Sequence, residues 1–212
     1  MLSTLLAAAQ PLLQPAFVLF GAPVTWLEIV AFVLALLMVW ANLHVKTVAW
    51  PLAIASSLLY ALLFADSRLY GESGLQIAFV IVSLWGWWQW LRGTAGSSPL
   101  VVRHMGMRAR ALALAATLVA WPLLGLLLAR MTDSDVPYFD ALATAASLTG
   151  QVLLARKYVE NWPVWLMVNL ISVALFVHKG LWLTVLLYAL FALLSVAGWR
   201  AWQRLAVRGG LR

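Results

Sequence analysis

The chain has 212 residues, 65% of them apolar and only 10% charged, with a mean hydropathy of +0.94. So few charges cannot cover a water-soluble globule of this length, so a soluble domain is excluded and most of the surface must face lipid. The net charge of +7 is spread through short connections and the C-terminal end, which excludes a nucleic-acid-binding patch, and the lack of cysteine excludes disulfides, thiolate metal sites and cysteine nucleophiles.

Residues 1 to 22 carry Pro11 and Pro15 and lack a charged start followed by an unbroken apolar run. They read as an interfacial segment or an extra short helix, not as a cleaved signal peptide. Beyond them, a helix needs about twenty apolar residues to cross the hydrocarbon layer. With polar clusters and Pro or Gly as boundaries, that length marks seven spans: 24–42, 49–66, 73–91, 109–129, 137–155, 161–178 and 181–202. The expected fold class is therefore all-α and polytopic. The thirteen Trp suit the headgroup region, where an indole has one apolar and one wet side.

The second half repeats the first at a constant offset of 112 positions: Trp50-Pro51 returns as Trp162-Pro163, Phe64 as Phe176, Phe79 as Phe191, Ser83 as Ser195, and Gly86-Trp87 as Gly198-Trp199. Internal repetition in an apolar chain points to a transporter-like bundle with its ligand between the halves. The expected organisation is a first three-helix repeat over 23–92, a linker with one central span over 93–134, a second repeat over 135–203 and a basic tail over 204–212. An odd single linker span lets the two repeats run parallel.

Orientation follows from basic residues near span ends. Arg92, Arg103, Arg108 and Arg110 after the third span, and Arg204, Arg208 and Arg212 at the end, fall on one side, with Lys46, Arg156 and Lys157. That side is expected to be cytoplasmic. Asp133, Asp135 and Asp140 fall on the other.

Polar side chains at membrane depth carry the functional reading, because a centrally placed charge costs about 2.5 to 3.5 kcal/mol on insertion scales. Extended back from span six, helical spacing puts Tyr158, Asn161, Trp162, Trp165 and Asn169 on one face, preceded by Lys157. Amides alternating with indoles suit a flat, polar heteroaromatic ligand. The amides bond a carboxamide or hydroxyls, and an indole face stacks on a cationic ring for about 2 kcal/mol when desolvated. Interfacial anchoring of the Trp residues and a helix-to-helix bond from Asn169 are the structural alternatives. Gln76 in span three and Tyr188, its partner by the offset, face the same axis, and Tyr60, Ser56 and Ser57 on span two are weaker pocket candidates. His44, His104 and His178 have no metal-ligand spacing and no Gly-rich phosphate loop is present, so no enzyme, metal or cofactor is expected.

The run from Arg156 to Trp162, followed by Trp165, Asn169 and Leu170-Ile171-Ser172-Val173, resembles the signature region of the Pnu-type bacterial vitamin transporter family. So do Ser83 to Trp90, Leu69-Tyr70 ahead of Gln76, and Trp26-Leu27-Glu28. The resemblance covers nearly the whole chain. It implies a three-plus-one-plus-three fold similar to SWEET sugar transporters, a homotrimer in the bacterial inner membrane, and facilitated diffusion of nicotinamide riboside trapped by a cytoplasmic kinase. Carried over position by position, Lys157, Asn161, Trp165, Asn169 and Gln76 are the implied substrate contacts. Nicotinamide riboside members carry Asn in span two where this chain reads Ala55-Ser56-Ser57. Thiamine, riboflavin and deoxynucleosides, which related members carry, stay open as substrates. A SWEET-like sugar carrier and a structural membrane subunit without a ligand are the other readings. Pro51 and Pro163 are either paired flex points for alternating access or first-turn helix prolines.

Overall fold

A computed structural model describes residues 9–66, 70–92, 100–132, 136–178 and 182–209. Ahead of the first span it shows a hairpin that the sequence reading did not include. Strands β1 (Pro15–Leu19) and β2 (Ala22–Thr25) pair antiparallel, with Leu19 opposite Ala22. The turn residues Phe20 and Gly21 have φ of +48° and +85°, the two positive values that a tight hairpin turn with the natural strand twist requires. Pro15, which has no N–H to donate, is the first residue of its strand, where a sheet tolerates it.

Seven long helices follow: α1 (Trp26–Leu43), α2 (Ala49–Asp66), α3 (Tyr70–Arg92), α4 (Met107–Met131), α5 (Pro137–Ala155), α6 (Asn161–His178) and α7 (Trp182–Gly209). Each overlies one expected span. The last is longer than expected, so Arg204 and the residues up to Gly209 continue the helix instead of forming a separate tail. By length and composition, α1, α2, α4, α6 and α7 can each cross a membrane. With 23 and 19 residues, α3 and α5 are long enough as well, at about 1.5 Å per residue. Gln76 and Gln89 lower the hydropathy of α3, and Thr144, Ser147, Thr149 and Gln151 that of α5.

Local chemistry sets the helix starts. The Thr25 hydroxyl accepts the Glu28 N–H at 3.2 Å and caps α1. Pro51 and Pro163 both lie in the first turn of their helices, where the missing N–H would have had no partner in the helix.

The helices touch in the order α1, α2, α3, α5, α6, α7 and back to α1, so six of them form a closed ring. The seventh, α4, stands outside against α5. Gly125 is the one buried residue of α4; a Cβ there would run into the Tyr138 ring. Trp121 Nε1 donates to the Tyr138 carbonyl at 2.7 Å, and the Thr117 and Thr149 hydroxyls share a bond of 2.7 Å. A helix apolar on nearly every other face fits a lipid surround.

Two equivalent contacts hold the ring at one end. Trp50 lies on Gly86 and Trp162 on Gly198, so closely that a Cβ on either glycine would overlap the indole. Trp50 meets the edge of Trp90 at 5.4 Å and 84°, and Trp162 meets that of Trp202 at 5.6 Å and 84°. All three positions of one set stand 112 residues from those of the other. Trp90 and Trp202 join the sets at 6.4 Å, and Trp202 Nε1 donates to the Asn42 carbonyl at 3.0 Å. With Leu100, Val102, Leu154 and Val159 these four indoles form a buried core that closes this end of the ring.

Candidate substrate-binding cavity

Inside the ring, above the four tryptophans, is a cavity whose empty space, open solvent included, comes to about 1080 Å³. Of the candidate residues named in the sequence, Ser56, Ser57, Tyr60, Gln76, Asn161, Trp162, Trp165, Asn169 and Tyr188 line it. They come from α2, α3, α6 and α7.

The α6 residues succeed one another along the wall. Asn161 is fully buried at its base, with Nδ2 donating to the Tyr158 carbonyl at 2.6 Å and Oδ1 without a partner. Trp162 packs on Gly198 with its Nε1 unpaired. Trp165 lies one turn further up, against Phe79 at 6.4 Å. It has room because α5 carries Gly150 there; a Cβ would stand 3.1 Å from the indole. Asn169 is 3% exposed, and its Nδ2 donates to the Ser195 hydroxyl at 3.1 Å while Oδ1 has no partner.

Aromatic pairs continue the wall. Tyr188 stacks on Phe176 at 5.2 Å and 26°, with its edge toward Phe191, and Tyr60 stacks on Phe64 at 5.8 Å and 25°. Gln76 is half-buried on α3.

Lys157 is not among them. It lies in the connection between α5 and α6, at φ +55°, and is not a lining residue. Its Nζ donates to the Leu100 carbonyl at 2.9 Å and sits 4.5 Å over the Trp90 ring. Burial holds that ammonium below the ordinary lysine range. Tyr158 also faces away from the cavity, with its hydroxyl accepting from Arg103 Nη2 at 3.3 Å. Both belong to a clamp that covers the tryptophan end. Arg103 and Tyr158 form a parallel bridge, in which Arg103 N donates to the Lys157 carbonyl at 3.1 Å and Val159 N to the Arg103 carbonyl at 3.0 Å. Glu160 accepts from Arg110 Nη2 at 2.6 Å and from Met105 N at 3.0 Å, and contacts His104 Nδ1 at 3.2 Å. Burial pushes the Glu160 carboxyl up, but these hydrogen bonds outweigh it and leave it below the ordinary carboxylate range.

Several lining residues escaped the sequence reading. Asn42 sits at the end of α1 with Oδ1 unpaired, Ser83 and Gln151 are bonded to each other, and Thr184 and Ser195 line α7. Ser83 and Ser195 were visible only as a repeated pair. No lining residue among those described is Asp, Glu, Lys, Arg or His. The cavity is uncharged, rich in π faces, and offers three unpaired amide oxygens, on Asn42, Asn161 and Asn169. Such oxygens at membrane depth call for a partner that donates hydrogen bonds.

A ring of apolar helices around an uncharged, polar-dotted cavity defines a multi-pass membrane protein with a central small-molecule site. The chain belongs to the nicotinamide mononucleotide transporter family, whose model matches residues 25–204. It is 25% identical over 217 residues to the nicotinamide riboside transporter PnuC of Escherichia coli (strain K12), covering 91% of each chain. It is 30% identical over 190 residues to the riboflavin/roseoflavin transporter RibM of Streptomyces davaonensis, covering 88% of this chain and 89% of that one. A crystal structure of the vitamin B3 transporter PnuC superposes with a TM-score of 0.73 at 26% identity, over 86% of this chain and 83% of that one. The family is one of membrane transporters.

Proposed function

We propose that the chain carries nicotinamide riboside into the cell by facilitated diffusion, in alternating access of one cavity to the two sides of the inner membrane. The observation that carries this reading is the uncharged cavity in which Trp165 supplies a stacking face and Asn169 and Gln76 supply amides. A cationic pyridinium gains from the indole, and a carboxamide and ribose hydroxyls can satisfy the unpaired oxygens. A phosphate has no cationic side chain to meet there, so the nucleoside fits and the nucleotide does not.

In this reading the two triplets α1–α3 and α5–α7 are the parallel units of a three-plus-one-plus-three, SWEET-like carrier joined by α4, with the C-terminus and the Glu160 clamp on the cytoplasmic side. The recurrence of the Trp–Gly and Trp–Trp contacts at the 112-residue offset supports two equivalent units. The assembly is a homotrimer in lipid, and a cytoplasmic kinase that phosphorylates the vitamin traps it. Pro51 and Pro163 serve as first-turn residues and not as hinges. Asn161, Trp162, Tyr60 and Tyr188 complete the substrate contacts; Lys157 acts from the clamp.

Riboflavin is the second reading. It rests on the likeness to RibM and on Ser57, which stands in α2 among the lining residues in the stretch where riboside carriers have Asn. Tryptophan-fluorescence titration of the purified protein with nicotinamide riboside, riboflavin and thiamine, corrected for ligand absorbance, separates them. Saturable quenching by nicotinamide riboside that is lost in Trp165→Leu is the expected result. Quenching by another of the three alone would replace the substrate, and no response to any would remove the vitamin reading.

A further inference from the structure

The ring buries one serine at each of two equivalent points, Ser83 on α3 and Ser195 on α7, at 0% and 2% exposure. They are engaged differently. Ser195 receives Asn169 Nδ2 at 3.1 Å and donates to the Phe191 carbonyl at 2.7 Å. The residue that stands to Ser83 as Asn169 stands to Ser195 is Ser57, and its side chain carries no amide. The amide comes instead from the other half: Gln151 of α5 donates Nε2 to Ser83 Oγ at 3.0 Å. Its own repeat counterpart is Val39, so this bond has no mirror image.

Gln151 is 7% exposed and lines the cavity. One of its N–H groups is spent on Ser83, and no hydrogen bond reaches its carbonyl among the described residues. That carbonyl is not a buried orphan like those of Asn42, Asn161 and Asn169, and it is available to a donor in the cavity. Its neighbour Gly150 is the residue against Trp165, and Ser83 lies one helical turn beyond Phe79, the other ring on that indole. The Gln151 amide therefore stands beside the stacking platform.

We propose that Gln151 is a specificity-determining residue of the cavity: held by Ser83, its carbonyl accepts from the amide substituent of the aromatic ring that stacks on Trp165. This rests on the nicotinamide riboside reading above and deepens it. Asn169 then reads the hydroxyl-bearing end from the α6–α7 wall. A site built to accept from a carboxamide N–H rejects a ligand with a carboxylate at that point, which brings no donor and adds a negative charge.

The test compares nicotinamide riboside with nicotinic acid riboside, which replaces the carboxamide by a carboxylate. Affinities are measured by calorimetric titration of wild-type protein, Gln151→Met and Ser83→Ala, with thermal unfolding of each. Wild type should prefer the carboxamide. Gln151→Met should weaken nicotinamide riboside at least about tenfold while changing nicotinic acid riboside much less, so the ratio collapses. Ser83→Ala, which removes the brace and keeps the amide, should cost less than Gln151→Met. If Gln151→Met does not fold, Gln151→Asn, which keeps an amide too short to reach both Ser83 and the ring, takes its place with the same expectation. Equal loss for both ligands, equal effects of Gln151→Met and Ser83→Ala, or no loss would overturn the proposal and leave the transport reading intact. Wild-type protein that binds neither riboside would overturn both.

Discussion

Asn169 Nδ2 reaches the Ser195 hydroxyl over 3.1 Å, and that hydroxyl passes the bond on to the Phe191 carbonyl at 2.7 Å. The relay fixes the amide plane with its unpaired oxygen at the cavity. Leucine of similar size at this position removes the hydrogen bonds and preserves the bulk. Asn169→Leu should therefore insert into the membrane at wild-type levels and lose uptake by about tenfold to a hundredfold, the worth of one to two buried hydrogen bonds to a ligand. Uptake of labelled nicotinamide riboside by cells, normalised to membrane-extracted protein, measures this. A structural role confined to helix packing would instead lower protein level and leave uptake per molecule unchanged.

Gly86 and Gly198 have no room for a methyl group, because Trp50 and Trp162 occupy it. Gly86→Ala and Gly198→Ala should each lower the unfolding midpoint by several degrees, as overpacking of a tight contact costs about 1 to 3 kcal/mol. Gly74→Ala is the control, since nothing lies within 4 Å of a Cβ there. In the same helix it should be neutral or stabilising by up to about 1 kcal/mol, the helix-propensity gain of alanine. Scanning fluorimetry of the three purified variants gives the ranking.

Glu160 ties the segment before α4, through His104 and the Met105 N–H, and the first turn of α4, through Arg110, to the connection between α5 and α6. Its folded carboxyl titrates below its ordinary value of 4.5. The sign follows: the clamp contributes its full stability above pH 4.5, and loses it as the pH falls through the lowered folded value. Glu160→Gln removes this contribution at neutral pH, so the variant should unfold at a lower temperature than wild type at pH 7 and approach it as the pH drops well below 4.5. Unfolding midpoints of both proteins between pH 3 and pH 7 measure it. Parallel curves would show that the carboxylate is not what holds the clamp.

The sequence revealed the helices because lipid imposes a length and a hydropathy that survive in each span, and the recurring Trp–Gly contacts because such close approaches admit few other residues. The rest failed for local reasons. Phe17 to Thr25 lacks a clear alternation, so the hairpin is specified mainly by Phe20-Gly21 at its turn. Arg200 and Arg204 end the apolar signal of α7, but charges do not break a helix, and it runs on to Gly209. Extending the α6 spacing backward puts Tyr158 on its face, and the family resemblance adds Lys157 to the site. The chain turns at Lys157, with φ +55°, before α6 starts at Asn161. Gln151 gave no signal because a lone amide in an apolar span is as compatible with a helix-to-helix bond as with a ligand contact. It makes the first, to Ser83, and only the ring of helices reveals the cavity beside it.

The most direct test of the central claim is flux across a membrane. The purified protein is reconstituted into liposomes, and entry of labelled nicotinamide riboside is followed with no ion gradient, alongside Trp165→Leu and empty liposomes. Facilitated diffusion predicts saturable entry that stops when inside and outside concentrations match, is competed by unlabelled riboside and is abolished in the variant. Entry no faster than in empty liposomes, or entry unchanged by Trp165→Leu, would contradict a riboside carrier with its site on α6.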